Sequence, residues 1–79
     1  MDYVVRTPQQ LGAILKGTRK RKGLSQAKIG AKAGFAQPKI SLIESHTAST
    51  SIEILYKTIS ALGLEIVLRD KPAVNAKDW

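Results

Sequence analysis

Five basic side chains lie within residues 16–22: Lys16, Arg19, Lys20, Arg21 and Lys22. A cluster of this density can neutralise a polyanion, because bound phosphates release their condensed counterions. The same residues are equally typical of a solvated helix end, where cations complement the negative end of the helix macrodipole. The cluster alone leaves both interpretations open.

The charge distribution along the chain favours a polyanion partner. Residues 1–45 hold nine of the 13 Lys and Arg residues but only two acids, whereas residues 46–79 hold four residues of each sign. The net charge of +7 and the pI near 10.1 therefore arise from the first half. Clustered basic charge of this kind is the electrostatic footprint of a nucleic-acid-binding protein.

The composition argues against catalysis and against a bound metal or cofactor. The 79 residues include no Cys, one His and six scattered acids. No nucleophile–base pair, carboxylate pair, metal cluster or phosphate-binding glycine loop can be assembled from them. We expect a protein that is not an enzyme, and we interpret His46 as a loop residue without a chemical role.

Length and cysteine content indicate one small domain that needs a further source of stability. A single core of this size rarely stabilises a fold strongly, and without Cys no disulfide can help, so oligomerisation remains. No apolar run is long enough to span a bilayer, and Met1-Asp2-Tyr3 does not begin a secretory signal. We expect a soluble cytoplasmic protein.

Capping residues and apolar spacing predict four helices between residues 7 and 63. Their start signals are Thr7-Pro8, Ser25, Ala36-Gln37-Pro38 and the polar loop 45–51. Glycines at 23, 34 and 63 end three of the helices. The predicted inward positions, to which we add Phe35, are Leu11, Ile14, Leu15, Thr18, Ile29, Ala33, Ile40, Ile43, Ile52, Leu55, Tyr56, Ile59 and Leu62.

The residues after Gly63 change to the two-residue period of a half-buried strand. Leu64, Ile66 and Leu68 alternate with the intervening side chains, and Pro72 prevents continuation. A lone strand leaves unpaired backbone groups, so it needs a partner. The partner is either the Tyr3–Arg6 arm or the same strand of a second copy, and we favour the second copy.

Residues 24–44 predict two short helices joined by a tight turn at Gly34. A second helix held at a fixed angle can enter a nucleic-acid groove. The alternative is a helical hairpin that binds no DNA. The local basic charge favours the first interpretation.

The small and apolar positions of this stretch resemble the helix-turn-helix motif of phage-repressor-like, Xre-family transcription regulators. The matching residues are Ile29, Gly30, Ala33, Gly34, Phe35, Ile40 and Ile43. The resemblance implies a mainly α fold, a small phage-repressor-like domain of four to five helices with one short C-terminal strand that pairs across a homodimer.

The same resemblance implies roles for individual side chains at the starts of the second and third helices. Gln37, Lys39 and Ala36 match base-facing positions, and a Gln amide can pair with adenine N6 and N7. The residues that match phosphate contacts are Gln26, Ser41, Ser25 and Lys28. Ser41 could instead bond to its own helix backbone.

Two residues depart from the family pattern at the start of the second helix of the motif, the helix that the resemblance assigns to base reading. Ala36 stands where many relatives have a polar residue, and Pro38 removes one backbone donor from the first turn. Both changes place more of the base reading on Gln37 and Lys39.

Beyond the motif, the chain resembles the HipB-type antitoxins. The shared features are the Thr7-Pro8 start, a fourth helix followed directly by a strand, and the final Asp78-Trp79. The implied organisation is an arm over 1–6, a helix-turn-helix domain over 7–63, a dimerisation strand over 64–70 built on Leu64, Ile66 and Leu68, and a flexible tail over 71–79.

The HipB resemblance implies a homodimeric repressor that binds a palindromic operator and controls its own operon in the cytoplasm, at the nucleoid when bound. It also implies a HipA-type serine/threonine kinase toxin as partner, with Trp79 offered to that partner. The lack of a long apolar run predicts no membrane association. Trp is a frequent hot spot in interfaces, although idle chain ends are also common. The alternatives are an Xre-family regulator without a toxin and a protein-interaction module that does not bind DNA.

Overall fold

Four α-helices and one 3-10 turn follow one another in the computed structural model, which describes residues 2–72. The helices are α1 (Pro8–Arg21), α2 (Gln26–Ala33), α3 (Gln37–Ser45) and α4 (Ile52–Ala61), with the 3-10 turn at Thr47–Ser49. The predicted mainly α, helix-turn-helix architecture is confirmed. None of these helices is long and apolar enough to cross a membrane.

The start of α1 forms a reciprocal capping box. The Thr7 hydroxyl accepts from Gln10 N at 3.1 Å, while Gln10 Oε1 accepts from Thr7 N at 3.3 Å. Pro8 occupies the first turn, where its missing N–H costs no hydrogen bond. The predicted helix start at Thr7-Pro8 is therefore confirmed.

The turn between α2 and α3 depends on Gly34. Its φ of +87° lies in the left-handed region, and its N–H donates to Gly30 O at 2.8 Å. The next residue, Phe35, donates to the same carbonyl at 2.7 Å. The chain thereby reverses within three residues and delivers α3 at a fixed angle to α2.

Two glycines allow helices and turns to approach closely. A Cβ on Gly30 would lie under 3.0 Å from Phe35 O, and a Cβ on Gly12 would lie under 3.0 Å from Glu44 O and the Thr47 hydroxyl. The small residue predicted at Gly30 is therefore required by the backbone of the turn. Gly12 has the equivalent role where α1 meets the end of α3.

One core lies between all four helices. Its buried members are Leu15, Ile29, Ile40, Ile43, Ile59 and Leu62, with Phe35 and Leu55 packed partly against them. Thr18 is also buried, but its hydroxyl has no hydrogen-bond partner within residues 2–72.

The predicted core positions of Tyr56 and Ile52 are wrong. Tyr56 is 53% exposed and Ile52 is 67% exposed. Ile52 is the first residue of α4, and Tyr56 lies at one edge of the apolar stripe. The buried face of α4 is centred on Leu55, Thr58 and Leu62 instead, so the spacing that predicted Tyr56 and Ile52 inside leaves both at the exposed edge of that face.

Residues 64–70 have no regular secondary structure, and no strand occurs anywhere in residues 2–72. Leu64 packs against the core, whereas Leu68 is 94% exposed. The amino-terminal arm lies nearby, with Asp2 Oδ2 3.8 Å from Arg69 Nη1, but no backbone hydrogen bond joins the arm to residues 64–70 in this part of the chain. The predicted strand is not confirmed, because a strand needs a partner and the arm does not provide a ladder.

We expect Gly30→Ala to lower the free energy of unfolding by about 2 kcal/mol, because the new methyl group would overpack against the Phe35 carbonyl. Gly17→Ala is the matched control. Gly17 lies in α1 with nothing within 4 Å of an added methyl group, so Ala should stabilise the helix by about 0.5–1 kcal/mol. Urea unfolding measures both values, and effects of the same sign would contradict the close approach at Gly30.

Candidate nucleic-acid interface

The first turn of α3 presents the predicted base-reading residues to solvent. Ala36 is the N-cap, Gln37 is the first helical residue and Lys39 follows, and all three are exposed. Ala36 supplies no side-chain cap, and Pro38 has no N–H to offer. The polar side chains that this turn presents are therefore those of Gln37 and Lys39.

The first turn of α2 presents the predicted phosphate contacts. Ser25 is the N-cap, and its hydroxyl oxygen accepts from Lys28 N at 3.0 Å. The hydroxyl hydrogen is left to donate to an anion. Lys28 is exposed and Gln26 is half-buried.

Ser41 lies one turn further along α3 and is half-buried. Within residues 2–72 its hydroxyl forms no hydrogen bond to its own helix, whereas its carbonyl accepts from the Ser45 hydroxyl at 2.8 Å. The alternative of a backbone-bonded Ser41 hydroxyl is therefore not the conformation found. The residue stays a predicted phosphate contact.

The structure brings the two predicted DNA-contacting glutamines together. Gln37 Nε2 donates a hydrogen bond to Gln26 Oε1, and Gln26 Nε2 donates to Glu44 Oε1 at 3.1 Å. The starts of α2 and α3 thus form one continuous polar surface. This contact follows from the angle that the Gly34 turn imposes on the two helices.

A buried ion pair between Arg19 and Glu44 lies behind this surface. Arg19 Nε is 2.7 Å from Glu44 Oε2, and Arg19 Nη2 is 3.2 Å from Glu44 Oε1. The two side chains are only 9% and 6% exposed. Arg19 Nη1 also donates to Leu24 O at 2.9 Å, so the guanidinium connects α1, α3 and the residue before the α2 cap.

Sequence reasoning missed this ion pair. Arg19 belongs to the basic cluster in the sequence, but its guanidinium is buried and paired, so neither the polyanion interpretation nor the solvated-helix-end interpretation applies to it. A signal was present: Glu44 is the only acid between residues 3 and 52, and it follows the buried Ile40 by one helical turn. Arg19 likewise follows the buried Leu15 by one turn.

The rest of the basic cluster divides into two groups. Arg21 donates to the Tyr3 hydroxyl and lies 5.8 Å from the Tyr3 ring centroid, while Lys22 Nζ donates to Leu62 O at 2.6 Å. Lys16 and Lys20 are exposed, and neither forms an ion pair within residues 2–72. In residues 2–72, Arg19 is thus the one member of the cluster whose charge is neutralised by a buried acid.

Two further predictions concern residues away from this surface. His46 lies after α3, is exposed, and its Nδ1 is 2.9 Å from the Ser45 hydroxyl. Asp78 and Trp79, which end the predicted 71–79 tail, lie outside the described residues.

Residues 5–69 match a protein family described as a helix-turn-helix domain. No curated protein sequence matches the chain significantly. Solved structures do match. A complex of a HipB variant with the 20-mer O2 contains a chain that is 28% identical, with a TM-score of 0.85, over 91% of this chain and 100% of that one.

Two other solved structures give the same result. HipB in its complex with the 20-mer O4 is 27% identical, with a TM-score of 0.84, over 90% of this chain and 100% of the HipB chain. A matching chain of the HipA-HipB-O2-O3 complex is 27% identical, with a TM-score of 0.85, again over 90% of this chain and 100% of that one. The chain therefore spans the whole length of these relatives.

We expect Glu44→Ala to lower the free energy of unfolding by about 3–5 kcal/mol, because it leaves the Arg19 guanidinium buried without its partner. The matched control is Glu53→Ala, which breaks the exposed 3.8 Å pair with Lys57. That substitution should cost less than about 1 kcal/mol. Denaturant unfolding measures both, and similar costs would show that the buried pair has no special role.

Proposed function

The chain belongs to the helix-turn-helix domain family, and from this premise we propose that it is a sequence-specific DNA-binding repressor that acts as the antitoxin of a type II toxin–antitoxin pair. The observation that carries the proposal is the match to HipB at a TM-score of 0.85 across 91% of the chain. HipB is known in operator complexes and in a complex with HipA. The exposed first turns of α2 and α3 are the surface on which this function would act.

The base-reading step is assigned to α3. In a helix-turn-helix protein the second helix of the motif lies in the major groove, and its first residues face the base edges. Gln37 and Lys39 are exposed at that position, and Ala36 can offer only an apolar contact, such as one to a thymine methyl group. Specificity is therefore assigned mainly to the two polar side chains.

The positioning step is assigned to the start of α2 and to Ser41. Gln26, Ser25 and Lys28 offer an amide, a hydroxyl and an ammonium to the DNA backbone, and such contacts fix register without reading sequence. The exposed Lys16 and Lys20 add positive charge. These groups make binding dependent on salt, because each phosphate contact releases counterions.

The dimer is assigned to residues 64–70. Ile66, Val67 and Leu68 are exposed apolar side chains on a segment whose backbone groups have no ladder partner within residues 2–72. Pairing with the same segment of a second copy would satisfy those groups and cover Leu68. A two-fold dimer in turn matches a palindromic operator, with one α3 for each half-site.

The HipA-HipB complex among the similar structures supports the proposal of a toxin partner. We infer that a HipA-type serine/threonine kinase binds this protein, that Trp79 in the 71–79 tail contributes to the contact, and that the pair represses its own operon. If the kinase does not bind, the protein is an Xre-family regulator without a toxin. If DNA does not bind, it is a protein-interaction module.

Selection from a random DNA pool followed by binding measurements tests the DNA-binding step. The affinity of the natural chain should fall by about 10³-fold or more between about 50 and 200 mM salt. Gln37→Ala should reduce the preference for the selected sequence over an unrelated one, because it removes a base contact. Lys57→Ala is the control, since Lys57 lies on α4 and pairs with Glu53. Salt-independent binding would overturn the DNA-binding function.

Two truncations separate the dimer from the toxin contact. A chain that ends at Asp70 retains the proposed strand and should stay dimeric and bind DNA, but it should bind a HipA-type kinase more weakly because Trp79 is gone. A chain that ends at Glu65 also loses Ile66 and Leu68 and should be monomeric. Light scattering gives the mass, and titration with the kinase gives the affinity.

Each truncation has its own contradicting result. A dimer that survives the loss of residues 66–79 would remove the strand from the dimer interface. Full kinase affinity after the loss of residues 71–79 would remove Trp79 from the partner contact. The full-length chain is the reference for both measurements.

A further inference from the structure

A chain of hydrogen bonds runs from the protein interior to the predicted base-reading side chain. Arg19 holds both oxygens of the Glu44 carboxylate, at 2.7 and 3.2 Å. Glu44 Oε1 accepts from Gln26 Nε2 at 3.1 Å, and Gln26 Oε1 accepts from Gln37 Nε2. Four side chains from α1, α3 and α2 are thereby linked in series.

The chemistry of the carboxylate fixes the direction of every amide in this series. A carboxylate paired with Arg19 can only accept hydrogen bonds, so Gln26 must turn its Nε2 toward Glu44. Its Oε1 then faces Gln37 and can only accept. Gln37 must therefore turn its own Nε2 toward Gln26, and neither amide can flip without losing a hydrogen bond.

This arrangement leaves a defined pair of groups on Gln37 for a base. One Nε2 hydrogen is used by Gln26, so Gln37 retains one N–H donor and its Oε1 acceptor. Adenine presents an acceptor at N7 and a donor at N6 in the major groove, which the two groups match. Guanine presents acceptors at both N7 and O6, so Oε1 would face a second acceptor.

The interior end of the hydrogen-bond series, formed by Arg19 and Glu44, is rigid. The Glu44 side chain is 6% exposed and held at both oxygens, and Arg19 Nη1 is held in addition by Leu24 O at 2.9 Å. The Glu44 backbone carbonyl lies against Gly12, which leaves no room for a side chain there. Glu44 therefore cannot turn away from Gln26 without a rearrangement of α1 against α3.

We propose that Glu44 is a positioning residue for base reading: acting through Gln26, it orients the amide of Gln37 so that this residue selects adenine over guanine. The inference rests on the proposed DNA-binding function and deepens it. It assigns to a buried ion pair a role in the choice of base, in addition to its role in the fold.

The test compares the affinities of two operators that carry adenine or guanine at the position that Gln37 contacts. That position is identified in the selected operator as the one at which the Gln37→Ala variant no longer prefers the selected base. The natural chain should prefer adenine by about 5- to 100-fold. A third operator carries unsubstituted purine, a base without the N6 amino group of adenine, at that position. It should bind more weakly than the adenine operator by a similar factor.

Two variants break the series at different points. Glu44→Gln places an amide at residue 44 that can present either its oxygen or its nitrogen to Gln26. Gln26→Met removes the link and leaves the Arg19–Glu44 pair in place, so it carries the test if Glu44→Gln does not fold. Both variants should reduce the ratio of the affinity for the adenine operator to that for the guanine operator at least fivefold. Only Gln26→Met retains the pair between Arg19 and Glu44.

Lys28→Met is the matched control, because it removes a predicted phosphate contact from the same helix start without touching the series. It should weaken binding to both operators equally and leave the ratio unchanged. An unchanged ratio in either Glu44→Gln or Gln26→Met, with binding retained, overturns the positioning role alone. Failure of the natural chain to select any sequence from the pool overturns the proposed function instead, so the two failures are distinguishable.

Discussion

The buried pair between Arg19 and Glu44 fixes the position of α1, which carries four of the 13 basic residues, relative to α3, the helix assigned to base reading. Removing two charges from water is costly, and the cost is offset here by two hydrogen bonds between the partners, one to Leu24 O and one from Gln26. A core of six buried aliphatic side chains could pack with small rotations of α1 over α3. The Arg19–Glu44 hydrogen bonds depend on direction, and Gly12 allows close approach. Together they hold α1 in one orientation on α3.

Local signals in the sequence were sufficient for the helix starts and for the turn. Thr7-Pro8 and Ser25 cap the helices they were expected to cap, because a cap depends only on residues within one turn. Gly34 adopts the left-handed conformation for the same local reason. These features account for the angle between α2 and α3 and hence for the position of Gln37 beside Gln26.

Features that depend on distant residues could not be predicted in the same way. Arg19 and Glu44 are 25 residues apart, and only the packing of α1 on α3 shows that each is the other's partner. The spacing of Tyr56 fits an apolar stripe and so predicts burial, whereas the packing of α4 on the other helices determines which of its side chains are buried. Residues 64–70 pose a different problem, since a strand in that segment needs hydrogen-bond partners that the described part of a single chain does not offer.

The close contacts at Gly12 and Gly30 have a mechanical consequence. Both glycines bring backbone against backbone or against a short side chain, with no long side chain that could change rotamer and absorb displacement. The helical body therefore has low compliance in the two places where its helices could slide. If two such bodies bind one duplex, any mismatch in half-site spacing must be taken up by bending of the DNA or by the segment that begins at Gly63, whose φ of +74° marks the end of the rigid body.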